Sequence, residues 1–130
     1  MKSLLPPGWP RPKGYSNGIS ARGRLIFTAG VIGWDERERI VSDSLAEQLE
    51  QVLRNTIAIL AEDGAGPEHV VRMTWYVTDR DEYVRELASI GAAWRAHMGP
   101  HYPTMAVVQV VALVEPAAKI EIETTAVVPE

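Results

Sequence analysis

The residues best suited to chemistry are two carboxylates, Glu121 and Glu123, set two positions apart in the alternating run from Lys119 to Val128. Positions i and i+2 of a strand share a face, roughly 7 Å apart, so both carboxylates point the same way. A carboxyl walled in by apolar surface has its pKa raised and can pass protons to and from a water near neutral pH. The plainer reading, a solvated strand face, stays open for both. A small polar set accompanies them: Tyr15 and Ser16, Thr28 beside Gly30, and Gln109 in an otherwise apolar run. Gln109 reads first as a hydrogen-bonded buried amide and second as a ligand contact. Trp34, Trp75 and Trp94 read first as core or interface mass, and Trp34, in a turn after Gly33, reads second as a pocket-lining residue.

Other chemistries lack their motifs. The chain has no Gly-x-Gly-x-x-Gly after a strand, no phosphate-binding Gly-Lys-Ser or Gly-Lys-Thr loop, no His-Glu-x-x-His and no Gly-x-Ser-x-Gly elbow. Its three histidines, His69, His97 and His101, are too dispersed to propose a metal site, and with no cysteine there is neither thiolate nucleophile nor disulfide. No cofactor is expected. A formal charge of -4, with thirteen scattered Lys and Arg, argues against nucleic acid as a partner. The chain holds no apolar stretch of about 18 residues and its start breaks on Pro6 and Pro7, so no membrane or secretory signal is expected and a cytoplasmic location is.

The elements that must position these residues read as one α+β domain over residues 1–130, in line with the size of a single core. Residues 1–14, rich in proline and without apolar periodicity, read as an extended lead-in. Arg24 to Ala29 reads as a strand, followed by a polar turn from Asp35 to Arg39. Leu45, Leu49, Val52, Leu53, Ile57 and Leu60 recur at steps of three and four behind a Ser44/Glu47 capping pair, which predicts a helix ended near Gly64. Val71, Met73, Trp75 and Val77 alternate with polar neighbours and predict a second strand. Asp79 and Glu82 offer another cap, and Tyr83, Leu87, Ile90, Trp94 and Met98 predict one second helix matching the first in length. Met105 to Val114 is apolar on both faces except at Gln109, which predicts a central strand covered on both sides. Two helices can cover only one face of such a sheet, so the other face is expected to be covered by self-association, or else by a barrel-like curl of the sheet.

Five segments then resemble a known family in order and spacing: Gly14 to Gly18, Leu25 to Gly30, Val70 to Asp79, Tyr102 to Met105 and Lys119 to Glu123. Together they look like the YjgF/RidA family, the reactive-intermediate deaminases, over nearly the whole chain from Gly14 onward. The resemblance implies a chorismate-mutase-like fold, one mixed sheet with two helices on one face, assembled as a homotrimer with ligand clefts between neighbouring subunits. It also implies cofactor-free hydrolysis of an enamine or imine to ammonia and a keto acid. Tyr15, Gly30, Pro103 and Glu121 match the family pattern, with Glu121 the residue that positions and activates water. The family arginine that holds a substrate carboxylate falls at Met105, an apolar gap-filler in place of a charged fork. Leu87, Val31 and Val107 likewise replace polar residues often found at their positions, so the cleft is expected to be more apolar than that of an imino acid deaminase.

Three functions remain open on this reading. The chain is a deaminase of a larger or aromatic-derived enamine, such as an aminomuconate-like intermediate, with Glu121 catalytic and Tyr15, Gly30, Trp34, Met105, Gln109 and His101 lining the substrate site. His101 or Arg22 would then replace the lost positive charge. Alternatively, the trimer binds a small apolar or amphipathic metabolite without turning it over, or it is a chaperone-like interaction protein. The enzyme reading requires Glu121 and Met105 to share one concave pocket.

Overall fold

In the computed structural model, which describes residues 1–130, Ser44 caps a helix α1 spanning Leu45–Ala61, its side chain accepting from the Glu47 backbone N–H. This satisfies one of the donors a helix start leaves orphaned. The apolar stripe buries Leu45, Leu49, Val52, Leu53 and Leu60, with Ile57 packed at its margin. Each such leucine contributes about 1.5–3 kcal/mol through removal from water.

The sheet that α1 covers is mixed. Strands β1 (Lys2–Leu4), β2 (Gly18–Ser20), β3 (Arg24–Phe27), β4 (Val31–Ile32), β5 (Val70–Val77), β6 (Thr104–Gln109) and β7 (Ile120–Val128) follow in chain order. The main sheet runs β3-β7-β5-β6, with β4 also paired to β7. All pairs are antiparallel except β5 with β6. That parallel pair needs a crossover, supplied by helices α2 (Arg80–Arg85) and α3 (Leu87–Met98). Met73, Trp75 and Val77 of β5 and Ile120, Ile122 and Ala126 of β7 are buried beneath α1 and α3. Alternation sends Arg72, Thr74 and Tyr76, with Glu121 and Glu123, to the opposite face.

Four expectations are corrected. The lead-in is not merely extended, because β1 pairs antiparallel with β2 in a separate two-stranded sheet. The second helix is two, α2 and α3, and both are shorter than α1. They break at Glu86, whose carboxylate leaves its own helix to accept from the Ala46 N–H and to contact the Ser44 hydroxyl. A contact distant in sequence thus decides a local boundary. The run Met105 to Val114 is not a central strand: β6 stops at Gln109 and lies at the sheet edge. It ends where β5 ends, after Val110 N–H donates to the Val77 carbonyl, and Val111 and Val114 beyond it are fully exposed. Gln109 is not a buried amide. It is exposed and accepts from the Arg80 N–H at 2.8 Å, serving the start of α2.

Candidate functional site

The sheet's pleat divides the expected site residues into two groups. Met105 pairs with Met73 and lies on the helix-covered face, whereas Glu121 pairs with Tyr76 and lies on the bare face. A one-residue step moves a strand side chain to the other face, so no single chain brings these two into one pocket. Each lines a hollow of its own, and the requirement that they share one is unmet within a chain.

The Met105 hollow, about 390 Å³, opens between β6, α3 and the segment around Tyr15. That segment is fastened over the start of β6, with Ser16 N–H donating to the Pro103 carbonyl at 3.0 Å and its hydroxyl to the Tyr102 carbonyl. The walls are aromatic: Trp75 and Trp94 have ring centroids 6.0 Å apart, and Trp94 stacks on Tyr102 at 6.3 Å. Trp94 Nε1–H donates to the His101 carbonyl at 3.2 Å. Trp75 is 2 % exposed, and its Nε1–H has no acceptor. A buried donor left unpaired costs about 1–3 kcal/mol. Lys13 and Arg95 are the only charged residues lining this hollow. Neither forms an ion pair within the chain.

The Glu121 hollow, about 730 Å³, lies away from Met105 at the sheet edge formed by β4, where Gly30 and Trp34 approach β7 and Gln51, Asn55, Ala58 and Ile59 of α1 form the other wall. A Cβ on Gly30 would stand 2.5 Å from Glu121 Oε2, so only glycine lets the carboxylate lie against this turn. Asn55 of α1 holds the turn in place by donating to the Trp34 carbonyl at 2.8 Å and the Ile32 carbonyl at 3.3 Å. Gln51 Nε2 in turn donates to Asn55 Oδ1 at 2.8 Å. Asp35, Glu36 and Glu115 also line this hollow, which makes it acidic. Asp35 is held below the usual carboxylate range by hydrogen bonds from the Arg39 and Arg37 backbone N–H groups, against a small opposing effect of desolvation.

The two carboxylates of β7 have different partners. Glu123 accepts a 2.8 Å hydrogen bond from the Tyr76 hydroxyl, and that bond chiefly raises the Tyr76 pKa above its ordinary value. Glu121 has no such partner and faces its hollow. Of the remaining expected residues, Tyr15 belongs with Met105, and Gly30 and Trp34 belong with Glu121. His101 lines a third hollow with Arg11 and Glu68, which adjoins the Met105 hollow through Tyr15 and Tyr102, and Gln109 lines none of these three. Sequence reading missed Asn55 and Gln51, although their i, i+4 spacing on α1 places them on one stripe, and it missed Arg95, one turn beyond Gly91.

Comparison with known proteins agrees with this architecture. The family model for Endoribonuclease L-PSP matches residues 10–128. A RutC family protein of Pyrococcus abyssi is 35 % identical over 103 residues, 78 % of this chain and 77 % of its own length. The human 2-iminobutanoate/2-iminopropanoate deaminase is 30 % identical, covering 80 % of this chain and 73 % of its own. A solved Yersinia pestis protein of the conserved Rid family, YyfB, superposes with a TM-score of 0.85 at 29 % identity over 98 % of each chain. On the match across nearly its full length and on the shared mixed sheet, the chain is a member of the YjgF/RidA family.

Proposed function

We propose that the protein is a cofactor-independent hydrolytic deaminase of an enamine or imine bulkier than a simple 2-imino acid, working in a cleft between two copies of the chain. The observation that carries this reading is the Glu121 carboxylate lying against Gly30 in a hollow walled by Trp34, while its neighbour Glu123 is engaged by Tyr76. The named deaminases among the relatives support the reaction class. An enamine first takes a proton on carbon. Water then loses a proton to Glu121 as its oxygen bonds the iminium carbon, giving a carbinolamine. The proton passes to nitrogen, the C–N bond breaks with its electron pair leaving on ammonia, and the hydroxyl loses its proton to leave a carbonyl.

Because Met105 and Glu121 occupy opposite faces, a cleft using both needs a second copy. The bare sheet face supports that assembly, with Phe27 68 % exposed and Leu25 beside it on β3. Sedimentation velocity is expected to give a trimer that Phe27→Asp converts to monomer. A monomeric wild type would remove the inter-subunit cleft and the proposed site with it.

Ammonia release from freshly generated 2-aminoacrylate and from an aromatic-derived enamine tests the reaction. The aromatic enamine is expected to be turned over at least about tenfold faster, since the apolar, aromatic walls of the Met105 hollow bury a ring and leave a three-carbon substrate largely uncontacted. No ammonia from either substrate would defeat the deaminase reading. Met105 itself favours a second reading, a metabolite-binding protein without turnover, whose signature is thermal stabilisation by ligand with no product. Ribonuclease activity, named in the family description, is disfavoured by a formal charge of -4 and by the acidic lining of the Glu121 hollow, which repel phosphates.

A further inference from the structure

We infer that Arg95 supplies the carboxylate anchor that position 105 lacks, and that the aromatic hollow beside it takes a ring-bearing carboxylate. In calling that occupant the substrate, this inference rests on the proposed function; in calling it a ligand, it does not. The hollow has the volume of a small-molecule site and the usual make-up of one, apolar walls with few polar groups. Trp75, Tyr83, Trp94 and Tyr102 provide flat surface for a ring. Arg95 Nη1 lies 3.2 Å from where a Cβ on Gly91 would stand, so the guanidinium folds back along α3 across the glycine one turn earlier. With no acidic residue in the lining and no ion pair of its own, that guanidinium is available for an anion.

Two further features fit the same occupant. Lys13, across from α3 on the segment that carries Tyr15, adds a second positive charge. The opposite polarity of the Glu121 hollow completes the argument, since Asp35, Glu36 and Glu115 there favour the cationic nitrogen of an iminium over a carboxylate. In the proposed cleft between two copies, a substrate reaching from the Met105 hollow of one to Glu121 of the other would be oriented by charge, its carboxylate and ring in the first and its nitrogen toward the second.

Isothermal titration calorimetry of the whole protein with indole-3-acetate, its uncharged amide indole-3-acetamide, and acetate tests this. The acid is expected to bind at least about tenfold more tightly than the amide, as a charge-assisted contact implies, and acetate to give no measurable heat. Arg95→Gln is expected to bring the acid down to the affinity of the amide while leaving the amide within about twofold, and Arg95→Lys to recover part of the preference. Equal affinities for acid and amide, a preference that survives Arg95→Gln, or no binding of either compound would overturn the assignment. Ammonia release measured on the same preparations separates the two ideas. Acid binding without turnover of any enamine removes the deaminase and keeps the site, while turnover without acid binding removes the site and keeps the deaminase.

Discussion

Replacing Glu121 with glutamine is expected to lower ammonia release by about 10²–10⁴-fold, the range a positioned general base contributes, with little change in folding stability. Glutamine keeps the shape that lies against Gly30, so the turn from Gly30 to Trp34 has no reason to move. What is lost is the ability to take a proton from water as the C–O bond forms. Glu123→Gln provides the contrast, because its carboxylate is engaged by the Tyr76 hydroxyl. Its effect on turnover is expected to stay below about tenfold, less than one charge-assisted hydrogen bond is worth. Because indole-3-acetate is held by its ring and carboxylate in the Met105 hollow, Glu121→Gln is also expected to change its binding by less than about twofold. Steady-state kinetics and calorimetry on the same variants check both statements. Equal losses in the two glutamine variants would mean that the strand face as a whole, and not Glu121, sets the rate.

Gln48→Leu is expected to destabilise the fold by about 2–4 kcal/mol, since it removes three hydrogen bonds to part-buried backbone groups, each worth about 0.5–1.5 kcal/mol net. Gln48 is 0 % exposed and sits in the stripe of α1 otherwise occupied by leucine and valine. Its Nε2 donates to the Ser42 carbonyl at 2.7 Å and the Ala117 carbonyl at 3.0 Å, and its Oε1 accepts from the Lys119 N–H at 2.8 Å. One amide thus ties the entry to α1 to the turn that leads into β7. Leucine fills similar space but satisfies none of the three backbone groups. The thermal midpoint is expected to fall by roughly 7–15 °C for a domain of this size. Gln51→Leu, whose partner is only the Asn55 side chain, is expected to cost about 1 kcal/mol or less. A loss below about 1 kcal/mol in Gln48→Leu would show that water reaches these groups in its place. Because β7 carries Glu121, the variant is also expected to lose activity at temperatures well below its midpoint.

Gln48 shows the limit of periodicity. Its place on the apolar stripe is legible, but the three backbone groups it serves lie 6 to 71 residues away. Helix α1 itself was legible throughout, because its stripe, its Ser44 cap and its end near Gly64 are all local signals. β5 and β7 were legible for the same reason, their alternation being a property of consecutive residues. Where the reading went wrong, a distant partner had intervened. Glu86 breaks the second helix by reaching the start of α1, and β6 stops where its neighbour β5 stops. Apolar residues on both faces of β6 were read as burial on both sides, yet an edge strand with one face bare carries the same pattern.

The site divides along the same line. Residue type and spacing determined that Glu121 stands on a strand face with Glu123, while the family resemblance alone suggested Tyr15 and Gly30 for a ligand region and marked position 105 as lacking the family's arginine. Only the tertiary structure decided that Met105 and Glu121 occupy opposite faces in separate hollows. It also decided that Tyr76 engages Glu123 and leaves Glu121 toward its hollow, and that Arg95 rather than His101 brings positive charge to Met105. The physical reason is that propensity and periodicity act over one or two turns of chain, whereas a pocket, its charge and its missing wall depend on which distant segments the sheet brings together.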